Sequence, residues 1–240
     1  MDHSKPATVI LRKTALMLQI QDYVRVGYRY WTAGTVAPDR ALAWVRKASR
    51  LYDVYLDRNR RARNKKRGEG SGILLLHEVS GSGHLWWILL VTPGDHLAHQ
   101  LESLKDAQDR ATRIQLTGYE LCYLTKPKSA TPVLSWRMTR DGYQQWRTHV
   151  IDTVRRGSDL EIRQLILSLH RSPGFYGVRC QIKACRRLLR GSWRRSRPSQ
   201  PCPLMPARVL YLRRRKIVTV PLGAWLTAQS KLATEVGKTT

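Results

Sequence analysis

The sequence predicts an α+β protein, with an antiparallel sheet flanked by helices and a protruding arginine-rich α-helical segment. Three observations predict it. Strand-like apolar runs fill the middle of the chain, between Ile73 and Thr139. Helical periodicity takes over from Arg140 to Arg197, and strand-like texture resumes after Pro203. The 43 Lys and Arg against 17 Asp and Glu give a net charge of +26, and much of the surplus sits in a few segments. The expected organisation is a core of N-terminal helices and sheet over 1–139, a helical finger over 140–204, and a closing hairpin and helix over 205–240.

At 240 residues and 42% hydrophobic, the chain is one large domain or two small ones, long enough for a real core. A pI near 10.8 favours anionic partners and steers them, and says nothing about fold. No apolar run is long enough to span a membrane. Met1–Lys13 has no continuous apolar core followed by a small-residue cleavage site, so the chain reads as soluble and cytoplasmic. Four cysteines, Cys122, Cys180, Cys185 and Cys202, do not make a disulfide scaffold.

Thr8–Trp31 is rich in Val, Leu, Ile and Met and has no Pro or Gly before Gly27, which predicts a helix; a strand near its start also fits. Ala33-Gly34-Thr35 breaks it. Pro38 opens a second helix, with Thr35 or Ala37 near the cap and Leu42, Val45, Leu51, Tyr52 and Tyr55 as its apolar side, running to about Leu56. Arg58–Arg67 carries seven cations in ten residues and reads either as a flexible, solvated linker or as a phosphate-contacting loop that orders on binding. Ile73–Val79 and His84–Thr92 read as a hairpin around Ser80–Gly83, Leu97–Arg110 as a helix, and Arg113–Thr125 and Pro132–Thr139 as two further strands of the same antiparallel sheet. An RNA-recognition (RRM), ferredoxin-like sheet is a natural candidate, although the aromatic signature of that module is absent. Arg140–Arg156 and Ser158–His170 are helical, and Ser158 with Glu161 forms a capping box. After the stiff Pro198–Pro203 loop, Val209–Leu212 and Ile217–Val220 read as a closing hairpin and Leu222–Val236 as a last helix.

The most informative stretch is Gly174–Arg197. Val178, Ile182, Cys185, Leu189 and Trp193 recur at helical spacing and form one apolar stripe. Arg179, Lys183, Arg186, Arg190 and Arg194 repeat that spacing one residue later, roughly 100° around the same helix. Arg187, Arg195 and Arg197 add to the charge. Between Glu161 and Glu235 there is no acidic residue and there are 16 Lys or Arg. A solvated helix face usually mixes signs, whereas a row of cations along about 22 Å suits a polyanion with regularly spaced phosphates.

Other groupings are less specific. Arg213-Arg214-Arg215-Lys216 lies between two strand-like runs without the Gly, Asn or Asp that tight hairpins favour, and reads as an anion site or as a longer solvated loop. Arg25 and Arg29 sit beside Tyr28, Tyr30 and Trp31, where rings can stack on bases while guanidiniums hold phosphate; Trp31 is better read as core. Arg40 falls in the first turn of its helix, where a bound anion would offset the opposed dipole. Cys180, Cys185, Cys202 and His170 lack paired zinc-ligand spacing, and Asp95, His96 and His99 read as an ordinary polar loop, so no metal site is expected. No phosphate loop, nucleophile elbow or HExxH motif is present, so no cofactor is expected either. The chemistry that fits such a site is attack of RNA's own 2′-hydroxyl on the adjacent phosphorus, with cations stabilising the phosphorane.

Three stretches, Tyr28–Trp44, His84–Asp95 and Gly174–Arg195, resemble the CRISPR repeat-cleaving endoribonucleases, specifically the plasmid-borne type IV branch. The resemblance implies an RRM-like core with an arginine-rich finger. It implies a metal-independent cut at the base of the repeat stem-loop, retention on the crRNA, and membership of a crRNA-guided effector complex for antiviral defence. Relatives often use a histidine base, and this chain has none between His3 and His77. The type IV branch relies on arginines instead, and Arg25, Arg40 and Arg214 match those positions best. Tyr28, Arg29, Arg61, Arg63, Lys65, Lys66, Arg213 and Arg215 join the arginine helix as expected RNA contacts, Arg187 and Arg195 included. The rival reading is a non-enzymatic DNA-binding accessory protein of a mobile element. An anionic-membrane binder is disfavoured, because no basic helix shows an exposed apolar face.

Overall fold

A computed structural model describes residues 7–79, 83–127, 129–203 and 217–236. In chain order its strands are β1 (Thr8–Ile10), β2 (Tyr30–Val36), β3 (Gly72–Glu78), β4 (Leu85–Val91), β5 (Lys105–Asp106), β6 (Gln115–Leu116), β7 (Tyr119–Leu124), β8 (Val133–Met138) and β9 (Thr219–Pro221). The helices are α1 (Lys13–Arg25), α2 (Pro38–Tyr52), α3 (Arg58–Lys66), α4 (Leu97–Leu101), α5 (Arg140–Arg156), α6 (Asp159–His170), α7 (Tyr176–Ser196) and α8 (Leu222–Val236). The fold is α+β. Its described residues form two compact units: those up to Thr112 with β9 and α8, and those from Arg113 to Pro203.

The first unit holds a mostly antiparallel six-stranded sheet of order β5-β2-β4-β3-β1-β9, in which only β1 and β3 run parallel. The apolar run from Thr8 to Trp31 is strand, helix and strand rather than one helix. Thr8–Ile10 pairs with β3 and β9, and Gly27, at φ +112°, ends the helical stretch. The aromatic and β-branched residues that follow suit a strand, so Tyr30–Val36 pairs along the whole of β4. Gly34 interrupts nothing: the Trp87 ring lies against it, and a Cβ there would sit 2.9 Å from that ring.

Pro38 opens α2 as expected, after Ala37. The helix stops at Tyr52 because Asp53 takes a left-handed φ of +46°. Its buried side is Ala41, Val45, Ala48 and Tyr52, while Leu42 is 41% exposed. The expected helix over Leu97–Arg110 ends at Leu101. Beyond it the Asp106 and Asp109 carboxylates accept from the N–H groups of Gln108 (2.9 Å) and Ala111 (3.0 Å), holding turns in place of helix.

Register sets the two faces of this sheet. Leu74, Leu76, Leu85 and Leu89 pack with Ala41, Val45, Ala48 and Tyr52 of α2 and with Leu222 and Trp225 of α8. Trp87 packs at that face too, 4.6 Å from Trp44 between ring centroids. Helix α1 buries Leu16, Met17, Ile20 and Val24 and packs against β1 and β3. With both faces covered, β3 reads as a continuous apolar run, not an alternating one. Two helices follow β2, where a ferredoxin-like β-α-β-β-α-β unit would run straight into its central hairpin.

In the second unit β6-β7-β8 form their own antiparallel sheet, so the expected strands over 113–139 do not extend the first sheet. Glu120 on β7 is buried between Arg113 and Arg137. Helices α5, α6 and α7 fall where periodicity placed them, and Ser158 and Glu161 make the reciprocal capping box. Of the expected strand Ile217–Val220, only Thr219 and Val220 form strand, joined by Pro221 as β9 and paired with β1. The other half of that expected hairpin, Val209–Leu212, lies outside the described residues, as do Ser80–Ser82 of the expected β3–β4 turn.

Candidate nucleic-acid interface

Helix α7 is built as its spacing predicts. Val178, Ile182, Cys185, Leu189 and Trp193 are each 4% exposed or less and pack against α5 and β8. Burial pushes the Cys185 thiol up to about 11, so it is packing rather than a reactive group. Gly177 brings the helix start onto the sheet: a Cβ there would lie 2.6 Å from the Trp136 carbonyl and 2.7 Å from Leu124. Its N–H donates to Ser135 Oγ at 3.3 Å. The Gln181 amide completes the outer edge of β8, accepting from the Met138 N–H (2.7 Å) and donating to its carbonyl (3.1 Å).

That packing fixes the orientation of the basic stripe. Lys183, Arg190 and Arg194 are exposed, as are Arg187 and Arg195; Arg179 and Arg186 are half-buried. Desolvation first, then the charge of Arg190 one turn away, lowers the pKa of Arg186. An anion at this face would relieve that repulsion. Arg197, just past the helix end, has a different role. Its guanidinium donates to the Val154 carbonyl (3.2 Å), the Gly157 carbonyl and Asp159 Oδ1 (3.3 Å), and it lies 5.1 Å from the centre of the Trp193 ring. It satisfies carbonyls at the end of α5.

The Arg58–Arg67 stretch is a helix, neither linker nor loop. Asp57 caps α3 by accepting from the Arg60 N–H at 2.8 Å, and that bond, its leading cause, holds its carboxyl below the usual range. At the other end Gly68 sits at φ +75°; Glu69 N–H donates to the Asn64 carbonyl and Gly68 N–H to the Lys65 carbonyl, a Schellman ending. Gly94 clamps this junction, its would-be Cβ falling 2.5 Å from the Gly68 carbonyl, and Gly70 N–H donates to the Asp95 carbonyl at 2.7 Å. No residue of α3 is buried. Arg61 turns inward, donating to the Leu56 carbonyl (2.9 Å) and to the Tyr28 hydroxyl. Arg63, Lys65 and Lys66 are exposed, and so are Arg58, Arg60 and Arg67, which the charge run alone does not distinguish. Once the segment is known to be helical, three- and four-residue steps group Arg60, Arg63, Lys66 and Arg67.

The other predicted residues within the described part lie on α1, on α2 and at the start of β2. Arg25 ends α1, 58% exposed and 3.2 Å from Asp22, a cation well placed for the helix dipole. Arg40 opens α2, 84% exposed, with Asp39 beside it 4.0 Å away. Tyr28 is only 6% exposed, its ring edge-on to Tyr23, so its ring is core packing and not an open base platform. Arg29 makes a two-pronged ion pair with Asp106 that joins the start of β2 to β5. Trp31 is core, its indole N–H donating to the Thr112 carbonyl at 2.9 Å. Arg213, Arg214 and Arg215 lie outside the described residues.

His96 is half-buried and holds two elements together. Its Nδ1 accepts from the Ala98 N–H (3.2 Å), capping α4, so Nε2 carries the proton and donates to the Tyr52 carbonyl (3.2 Å). Desolvation lowers its pKa below 6.5. Among the described residues no group of three His, Cys, Asp or Glu is placed to hold a metal ion, and no helix is long and apolar enough to cross a membrane. No protein-family model, curated protein or solved structure matches the chain.

Proposed function

We propose that this chain binds structured RNA through the basic face of α7 and cuts it without a metal, as a CRISPR-repeat endoribonuclease of the type IV kind that stays on its product in an effector complex. The observation that supports RNA binding is the division of α7: an apolar stripe buried on α5 and β8, and beside it a row of cations with no carboxylate anywhere on the helix. An A-form stem presents phosphates and 2′-hydroxyls to such a row. The cleavage step rests on the sequence resemblance. Arg25 and Arg40 are both exposed, so their guanidiniums are accessible to a scissile phosphate.

In that reaction the 2′-oxygen forms a bond to phosphorus and the 5′-oxygen leaves. The 2′-hydroxyl proton passes to water, and the leaving oxygen takes a proton from water. The products are a 2′,3′-cyclic phosphate and a 5′-hydroxyl. Cationic guanidiniums stabilise the charge on the equatorial oxygens in between.

The test is a repeat stem-loop, all-ribose or with 2′-deoxyribose at the cut site, incubated with excess protein in EDTA. Cleavage of the first only, leaving a cyclic phosphate, is the expected result. Cleavage of the deoxy substrate, or strict dependence on Mg²⁺, contradicts the mechanism. Preferential binding of duplex DNA, with no RNA cut, favours a DNA-binding protein instead.

A further inference from the structure

We infer that α3 is a second phosphate-binding helix, contacting RNA through Arg60, Arg63, Lys66 and Arg67, with Arg61 as its anchor to the fold. The inference rests on the RNA-binding reading and extends it to a different unit of the chain.

The four named residues fall within an arc of about 120° on the side away from the inward-turned Arg61. All four are exposed. Arg60 lies 4.0 Å from Asp57 and Arg67 lies 3.8 Å from Glu69, ion pairs that water largely screens. Helix α3 has only nine residues, buries none of them, and sets like charges three and four residues apart, so neither packing nor propensity accounts for it. Its two ends account for it: the Asp57 cap, and the Gly68 ending clamped under Gly94. Both ends are capped while the exposed face between them is cationic, and that construction holds a row of cations at fixed spacing. The matching partner is a polyanion. A membrane surface is a poor match, because Ala62 is the only apolar side chain on the helix.

The experiment uses the full chain and a fluorescein-labelled RNA stem-loop, with affinity measured against salt for four proteins. These are the wild type, R60Q/R63Q/K66Q/R67Q, Arg61→Gln, and the five-residue α7 stripe variant. The quadruple variant is expected to lower the log–log salt slope by roughly 3 units, about 0.7 to 0.9 for each phosphate that is no longer neutralised. Its melting temperature should hold or rise, since four mutually repelling exposed charges are gone. Arg61→Gln should lower the melting temperature with a smaller change in slope. An unchanged slope in the quadruple variant, alongside a reduced one in the α7 variant, overturns the assignment of α3 and leaves the function standing. No RNA binding by the wild type overturns both.

Discussion

Arg190 and Arg197 are seven residues apart and do different work. Arg190 is exposed on the basic face of α7, whereas Arg197 is turned inward onto the Val154 and Gly157 carbonyls. Arg197→Ala is expected to destabilise the protein by about 1.5–3 kcal/mol, the range for charge-assisted hydrogen bonds, in denaturant unfolding. Arg190→Ala should leave unfolding unchanged and weaken RNA binding. His96 gives a pH signature. Its pKa is lowered in the folded state, so the unfolded chain binds the proton more readily. The stability it contributes is complete above pH 6.5 and is lost as pH falls through the lowered value. His99 adds to the depression, while Asp53 and Asp95 oppose it. His96→Gln should flatten the fall in unfolding free energy below pH 6.5; an equal fall in both proteins would place the titration elsewhere. For the proposed reaction, Arg25→Ala and Arg40→Ala should each slow single-turnover cleavage at saturating protein about 10²-fold or more, with little change in affinity. Weaker affinity at an unchanged saturated rate would make them anchors. The sequence reads residue type and position here, but not which arginines are already paired: Arg29 and Arg197 look as free as Arg25 until their distant partners Asp106 and Gly157 are in place.

The elements differ in how legible they are in the sequence. Helices α5, α6 and α7 carry regular apolar spacing, and α6 has a two-residue cap signal, so their boundaries are readable to within a residue or two. Helix α3 has no apolar periodicity, and its only local signals are the Asp57 cap and the Gly68 ending, which are easily passed over in a charge run. Thr8–Trp31 misleads in the opposite way. Its apolar residues suit helix and strand alike, and pairing with β3 and β4 decides between them. At α7 the close approach at Gly177 gives a prediction. Gly177→Ala places a methyl 2.6 Å from the Trp136 carbonyl, a backbone atom that cannot swing aside. It should cost roughly 1–3 kcal/mol in unfolding, the range for overpacking a tight site. A neutral result would mean that α7 is not closely seated on β8.

Across the molecule the charge is distributed unevenly. From Arg113 to Pro203 there are 18 Lys or Arg and five Asp or Glu, and of those carboxylates Glu120 is enclosed by two arginines and Asp159 faces Arg197. In the other unit the acidic residues are more numerous and the cations gather at α3. The mixed α+β character is legible from texture. The grouping of strands into two sheets is not, because pairing between distant segments leaves no trace in local periodicity. On the proposed function, the α7 stripe meets phosphates. The direct measurement is the salt dependence of RNA stem-loop binding by the full chain, compared with a variant carrying Ala at Arg179, Lys183, Arg186, Arg190 and Arg194. Alanine keeps the helix propensity high, so a smaller slope does not come from a lost helix. The expected log–log slope is smaller by roughly 3.5 to 4.5 units in the variant. An unchanged slope in a folded variant would contradict it.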